Sequence, residues 1–172
     1  MLKLIGGLAI IIATTSIGYV YSMVYEERVR QLRELQYALN ILESEIIYSS
    51  TPIYEALGAA SQNCKTSIGV MLKKMGELLS QRKVSSIHDA FIQAVKEQKS
   101  LLYLEKEEQD AIGSFVHSLG SGDIEGQKKN FNITMKKLDV FEKKAEESRD
   151  KNSKLYRYIG LCGGVLIVLV LI

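Results

Sequence analysis

Tryptophan is absent, proline occurs once, and the 172 residues include only two cysteines and two histidines. A lone proline, Pro52, leaves long helical stretches uninterrupted. Cys64 and Cys162 are too few for a disulfide framework. One sits in a charged stretch and the other in an apolar one, which also rules out a shared metal site. His88 and His117 stand outside any H-E-x-x-H pattern. An excess of one charge is missing too: 22 Lys and Arg face 20 Asp and Glu, for a net charge of +2. Basic and acidic residues interleave as on a solvated helix surface, which argues against nucleic acid as a partner. No phosphate-binding G-x-x-x-x-G-K-[ST], no G-x-S-x-G and no dinucleotide fingerprint appears. Nothing in the composition points to catalysis, a cofactor or a metal.

Two uncharged runs are present. Leu4 to Tyr25 carries no charge, and about 22 residues at about 1.5 Å each cross the roughly 30 Å hydrocarbon layer. It is longer than the 7–15-residue core typical of a signal peptide and lacks a convincing cleavage site, so it reads as an uncleaved anchor. Tyr19, Tyr21 and Tyr25 suit the interfacial belt, and Arg28, Arg30 and Arg33 follow. By the positive-inside rule the residues after them face the cytoplasm. Tyr158 to Ile172 is the second run. Its 15 residues are short for a full crossing unless Leu155, Tyr156 and a snorkelling Arg157 extend it. Its basic flank, Lys143 to Arg157, agrees on orientation. Three parts are expected: a membrane helix over 1–25, a cytoplasmic helical body over 26–156, and a membrane helix over 157–172.

The body is helix-patterned throughout. Leu32, Leu35, Leu39, Leu42 and Ile46 form a three–four seam, and no Gly or Pro separates it from the first apolar run. One helix is expected from about Leu4 to about Tyr48. Thr51 reads as an N-cap with Pro52 in the first turn, and Ile53, Leu57 and Ala60 face inward. After a turn at Ser61–Asn63, a third helix is capped near Thr66 or Ser67, and the Ser85–Ser86 pair starts a fourth. A fifth runs from about Leu101 or Tyr103 to Leu119, with Glu105, Glu107 and Glu108 on a solvated face. Gly120 suits a left-handed helix end and Asp123 the next N-cap. The last helix turns Ile124, Gln127, Phe131, Thr134, Leu138, Phe141 and Ala145 inward and continues into the second apolar run. The fold class is all-α: an antiparallel bundle of about six helices whose first and last helices enter the membrane.

These residues resemble a known family. Glu45-Ile-Ile-Tyr48-Ser-Ser-Thr51-Pro52-Ile-Tyr-Glu55-Ala56 is similar to the E-I-x-Y-x-x-T-P-L-x-E-A segment of the stage III sporulation protein AB family, and Leu119-Gly120-x-x-Asp123-x-x-x-Gln127 resembles its L-G-x-x-D-x-x-x-Q turn. The opening and closing runs match in kind and place. Departures are Ile53 for the usual Leu, and Val116 where Gly is expected after Phe115.

The resemblance implies a component of the secretion-like channel between mother cell and forespore. It would sit in the mother-cell membrane facing the forespore, with a body like the helical domain of type II secretion and type IV pilus platform proteins. The implied partners are the cytoplasmic ATPase, stage III sporulation protein AA, and other membrane proteins of the channel, with homo-oligomerisation open. No catalytic residue carries over. Glu45, Tyr48, Thr51, Pro52, Glu55, Gly120, Asp123 and Gln127 transfer as structural or contact positions only. The alternative from the residues alone is a small pore-forming membrane protein, for which Thr14, Thr15 and Ser16 are the one mild polar cluster in the apolar run.

Overall fold

The computed structural model describes residues 2–120 and 123–171, all of whose regular elements are helical. Six α-helices follow in order: α1 (Leu2–Glu43), α2 (Ile53–Gln62), α3 (Ser67–Ser80), α4 (Ile87–Glu97), α5 (Lys106–Ser118) and α6 (Ile124–Leu171). A π-helical turn, Ser44–Tyr48, closes α1, so the first helical run ends at Tyr48 as the seam predicts. Residues 121 and 122 and the side chains of residues 1–5, 161, 171 and 172 lie outside the described residues.

By their contacts the residues fall into two units, one formed by the chain up to Val29 with that from Lys143 on, the other by Arg30–Glu142. In the first, α1 and α6 meet over small residues. A Cβ on Gly18 would stand 2.5 Å from the Tyr156 carbonyl oxygen, and one on Gly160 2.8 Å from that of Thr14. Only glycine permits this approach. Large apolar side chains point the other way: Leu8, Ile12, Val20, Leu166, Leu169 and Val170 are between 59% and 86% exposed. Each helix contains an 18-residue window of mean hydropathy 1.6 (α1) or 1.5 (α6), and only 17% and 12% of those windows is buried. The core helix of a soluble protein buries most of such a window.

In the second unit the pattern is inward. Leu32, Leu35, Leu39 and Leu42 of α1 and Phe131, Leu138 and Phe141 of α6 are buried with Leu57, Ile68, Met71, Met75 and Phe91. Fully burying each such side chain contributes about 1.5–3 kcal/mol. Phe115 meets Phe131 edge to face at 4.9 Å, fastening α5 to α6. Two polar side chains of α1 reach the loops. Buried Gln31 donates to Ser67 Oγ (3.0 Å) and the Leu101 carbonyl (2.8 Å), and accepts from the Tyr103 amide (2.9 Å). Glu34 accepts from the Lys65 and Thr66 amides (3.0 and 2.9 Å) and the Thr66 hydroxyl (2.6 Å).

Several local expectations are corrected. Pro52, not Thr51, is the N-cap of α2: its carbonyl accepts from Glu55 and Ala56, while the Thr51 hydroxyl is turned back to Glu45. The turn after α2 begins at Asn63, because Ser61 and Gln62 stay helical. Ile53 is only half-buried and Ile124 is 62% exposed; each is the first residue of its helix. The fifth helix starts at Lys106, later than its apolar pattern, because Glu105 and Glu108 form a reciprocal capping box in which Glu108 Oε2 accepts the Glu105 amide at 2.7 Å. That bond draws Glu108 off the expected solvated face into the interior, where it is 1% exposed. The caps expected at Thr66 and Ser86 are present, accepting from Ile68 (3.2 Å) and Asp89 (3.0 Å).

Candidate functional site

The two resembling segments lie about 70 residues apart in the chain and meet at one end of the Arg30–Glu142 unit. The π-turn widens the end of α1, so that the Thr51 amide donates to the Glu45 carbonyl at 2.8 Å and the Thr51 hydroxyl to Glu45 Oε2 at 2.7 Å. This double tie folds Tyr48–Ser50 outward. Ser50 takes φ +53°, and Tyr48 is 69% exposed. Pro52 then sets the entry into α2, where Glu55 and Tyr54 stand side by side on the surface. The hydrogen bond to Glu55, with its charge adding, raises the Tyr54 phenol above its ordinary value.

The second segment begins where α5 ends. Gly120 takes φ +82°, the left-handed conformation that closes a helix and that other residues adopt at a cost. A Cβ there would come within 3.1 Å of Ile53 Cδ1, so this turn is packed on the start of α2. Asp123 caps α6 as expected: its Oδ1 accepts the Gly126 amide at 2.9 Å and its carbonyl the Gln127 amide at 3.0 Å. The side-chain oxygen of half-buried Gln127 is enclosed without a donor among the described residues. Lys128 Nζ lies 5.0 Å from the centre of the Tyr48 ring, a cation–π contact joining the two segments directly.

All eight motif positions thus lie at or beside one junction. Glu45, Thr51, Pro52, Gly120 and Asp123 shape the backbone, whereas Tyr48 and Glu55 are exposed. No group of three or more His, Cys, Asp or Glu able to hold a metal ion occurs among the described residues. What the junction offers is an aromatic ring with a cation over it and a surface carboxylate, chemistry suited to contact.

Comparison with known proteins places the chain in a family. The family model described as stage III sporulation protein AB matches residues 3–172. The chain belongs to the stage III sporulation protein AB family. Stage III sporulation protein AB of Bacillus subtilis (strain 168) is 32% identical over 171 residues, covering 99% of each chain. A solved structure of a stage III sporulation protein AB superposes with a TM-score of 0.67 at 28% identity, covering 73% of this chain and 98% of that one. The shared name is that of a sporulation protein and describes no catalytic activity. The buried side chains of Gln31 and Glu108 and the half-buried Glu34 all bond to backbone amides. The sequence signalled them only as polar residues within or beside apolar seams.

Where α1 and α6 leave their apolar halves, tyrosines and arginine collect. Tyr156 stacks between Tyr21 (5.8 Å) and Tyr25 (5.9 Å). Arg157 pairs with Glu26, donates to Ser22 Oγ at 3.1 Å and lies over the Tyr19 ring. In the one polar cluster of the first apolar run, the Thr14 and Ser16 hydroxyls return to helix carbonyls one turn back. His88 and His117, unrelated by sequence spacing, meet edge to face at 5.4 Å.

Proposed function

We propose that this chain is a membrane-anchored structural adaptor of the sporulation machinery that docks a cytoplasmic ATPase to the membrane apparatus. The observation that carries the reading is the pair of apolar helices whose large side chains face outward over most of their hydrophobic windows. Such a surface is stable in lipid and costly in water. Residues 1–25 and 157–172 then lie in the mother-cell membrane facing the forespore, and residues 26–156 in the cytoplasm. The tyrosine–arginine cluster at Tyr19, Tyr21, Tyr25, Tyr156 and Arg157 supports this, because amphipathic rings and snorkelling arginines favour the membrane–water boundary.

Docking is assigned to the motif junction. Glu45, Thr51, Pro52, Gly120, Asp123 and Gln127 hold its shape, and Tyr48 and Glu55 meet the ATPase, stage III sporulation protein AA. Other membrane proteins of the same channel, and further copies of the chain, are its neighbours in the bilayer. The role is structural and needs no cofactor.

The test uses the full chain in detergent with the purified cognate ATPase at micromolar concentration. Co-purification is expected, reduced about tenfold or more by Tyr48→Asp, with the helical circular dichroism signal retained. A folded chain that captures no ATPase would contradict the docking role. Labelling of Lys99→Cys by an impermeant maleimide from outside intact cells would contradict the topology.

A further inference from the structure

Between α4 and α5 lies an open groove of about 880 Å³, lined by residues between His88 and His117, none of them a motif position. Its floor is apolar: buried Phe91 and Leu102, half-buried Val95, and Ile92, which is 53% exposed. On the α5 side Gly113 contributes no side chain, and a Cβ there would already stand 3.3 Å from the Phe91 ring. The wall is therefore shallow and the floor open. The two walls differ in charge. Lys96 and Lys99 stand on the α4 side, and the α4 carboxylate beside them, Glu97, is engaged by Lys74 at 2.8 Å. That pair lowers the Glu97 carboxyl and raises the Lys74 ammonium. The α5 side carries one carboxylate, Asp110, with Gln109 and Ser114. The joined histidines close one end.

An apolar trough of α4's length, about 16 Å, is the width of three helical turns. We infer that this groove receives an acidic amphipathic helix of a partner protein, its apolar stripe on Phe91, Ile92 and Leu102 and its carboxylates along Lys96 and Lys99. Ridges of a third helix fit between two packed helices at about 8–10 Å separation. The charge asymmetry sets the orientation: the acidic edge faces α4, and a neutral or basic edge faces Asp110. The inference is independent of the docking assigned to the motif junction, and either can fail alone.

The probe is a fluorescein-labelled helical peptide of about three turns, with leucines on one stripe and glutamates on the adjoining edge. It is titrated against the full chain in detergent and read by anisotropy. Saturable binding is expected, weakened about tenfold or more by the double variant Lys96→Glu/Lys99→Glu and by Ile92→Asp. The matched charge change Lys73→Glu/Lys83→Glu, outside the groove, is expected to leave affinity within about twofold. Should Ile92→Asp perturb the fold by circular dichroism, Ile92→Ser takes its place. The proposal is overturned if a scrambled peptide or one with lysine for glutamate binds equally well, or if the Lys96/Lys99 variant keeps wild-type affinity. It is equally overturned if those lysines act only on binding to anionic phospholipid vesicles and the peptide never binds.

Discussion

The same two helices build both units of this protein by opposite means. In residues 2–29 and 143–171 they meet where side chains are missing, at Gly18 and Gly160, and turn leucine, isoleucine and valine outward. In residues 30–142 they bury Leu32, Leu35, Phe131 and Leu138, and turn arginine, lysine and glutamate outward. The difference is what the proposed membrane anchoring would require of each segment. Where the surroundings are themselves apolar, burying leucine gains little and close backbone approach is what holds helices together. In water the hydrophobic effect does the holding, and the polar surface is the part exposed.

Substitutions that act in one unit and spare the other test this contrast. Phe131→Ala in the water-facing unit is expected to cost about 3–5 kcal/mol, read as a fall in the thermal midpoint of the full chain in detergent. Gln31→Leu should cost about 2 kcal/mol, because the Tyr103 amide loses its acceptor, whereas the Leu101 carbonyl keeps the Ser67 hydroxyl. An unchanged midpoint would mean that the Tyr103 amide finds another bond. Gly160→Ala should cost about 2 kcal/mol through contact with the Thr14 carbonyl. Its signature is local: amide exchange accelerates across 143–171 and stays protected across 124–142. Uniform acceleration would show that the two units open together.

The capping predictions are smaller. Asp123→Ala is expected to lose about 1 kcal/mol as a true N-cap, and Thr51→Ala less, because its hydroxyl ties Glu45 and caps nothing. A reversed order in chemical denaturation would restore Thr51 as the cap. The smallest effect concerns pH. Burial, with the charge of Glu34 adding, pushes the Cys64 thiol from 9.0 up to about 11. The fold therefore favours the neutral thiol. This contribution is complete below the unfolded value and is lost as pH rises from about 9 toward 11. Thermal midpoints should fall over that window, and Cys64→Ala should flatten the fall.

Helix number and kind were legible because periodicity survives any packing: the seam from Leu32 to Ile46 and the stripe from Phe131 to Ala145 have one buried side each. Gly120 and Asp123 were legible because the left-handed end and the N-cap are local chemistry. Thr51 misled because a hydroxyl beside a helix start has two acceptable partners, and the π-turn brought Glu45 within reach. Glu108 misled because its charge predicts solvent, whereas the capping box drew it inward.

By itself, then, the sequence determined the all-α class, the two apolar helices and the family, each of which depends on spacing and residue type along the chain. Only the tertiary structure decided that Tyr48 and Lys128 meet, that His88 and His117 close one groove, and that Gln31 ties α1 to the loop at Leu101. Those pairings join residues about 30 to 80 apart in the chain. They follow from how the helices rotate about one another, which no local pattern encodes.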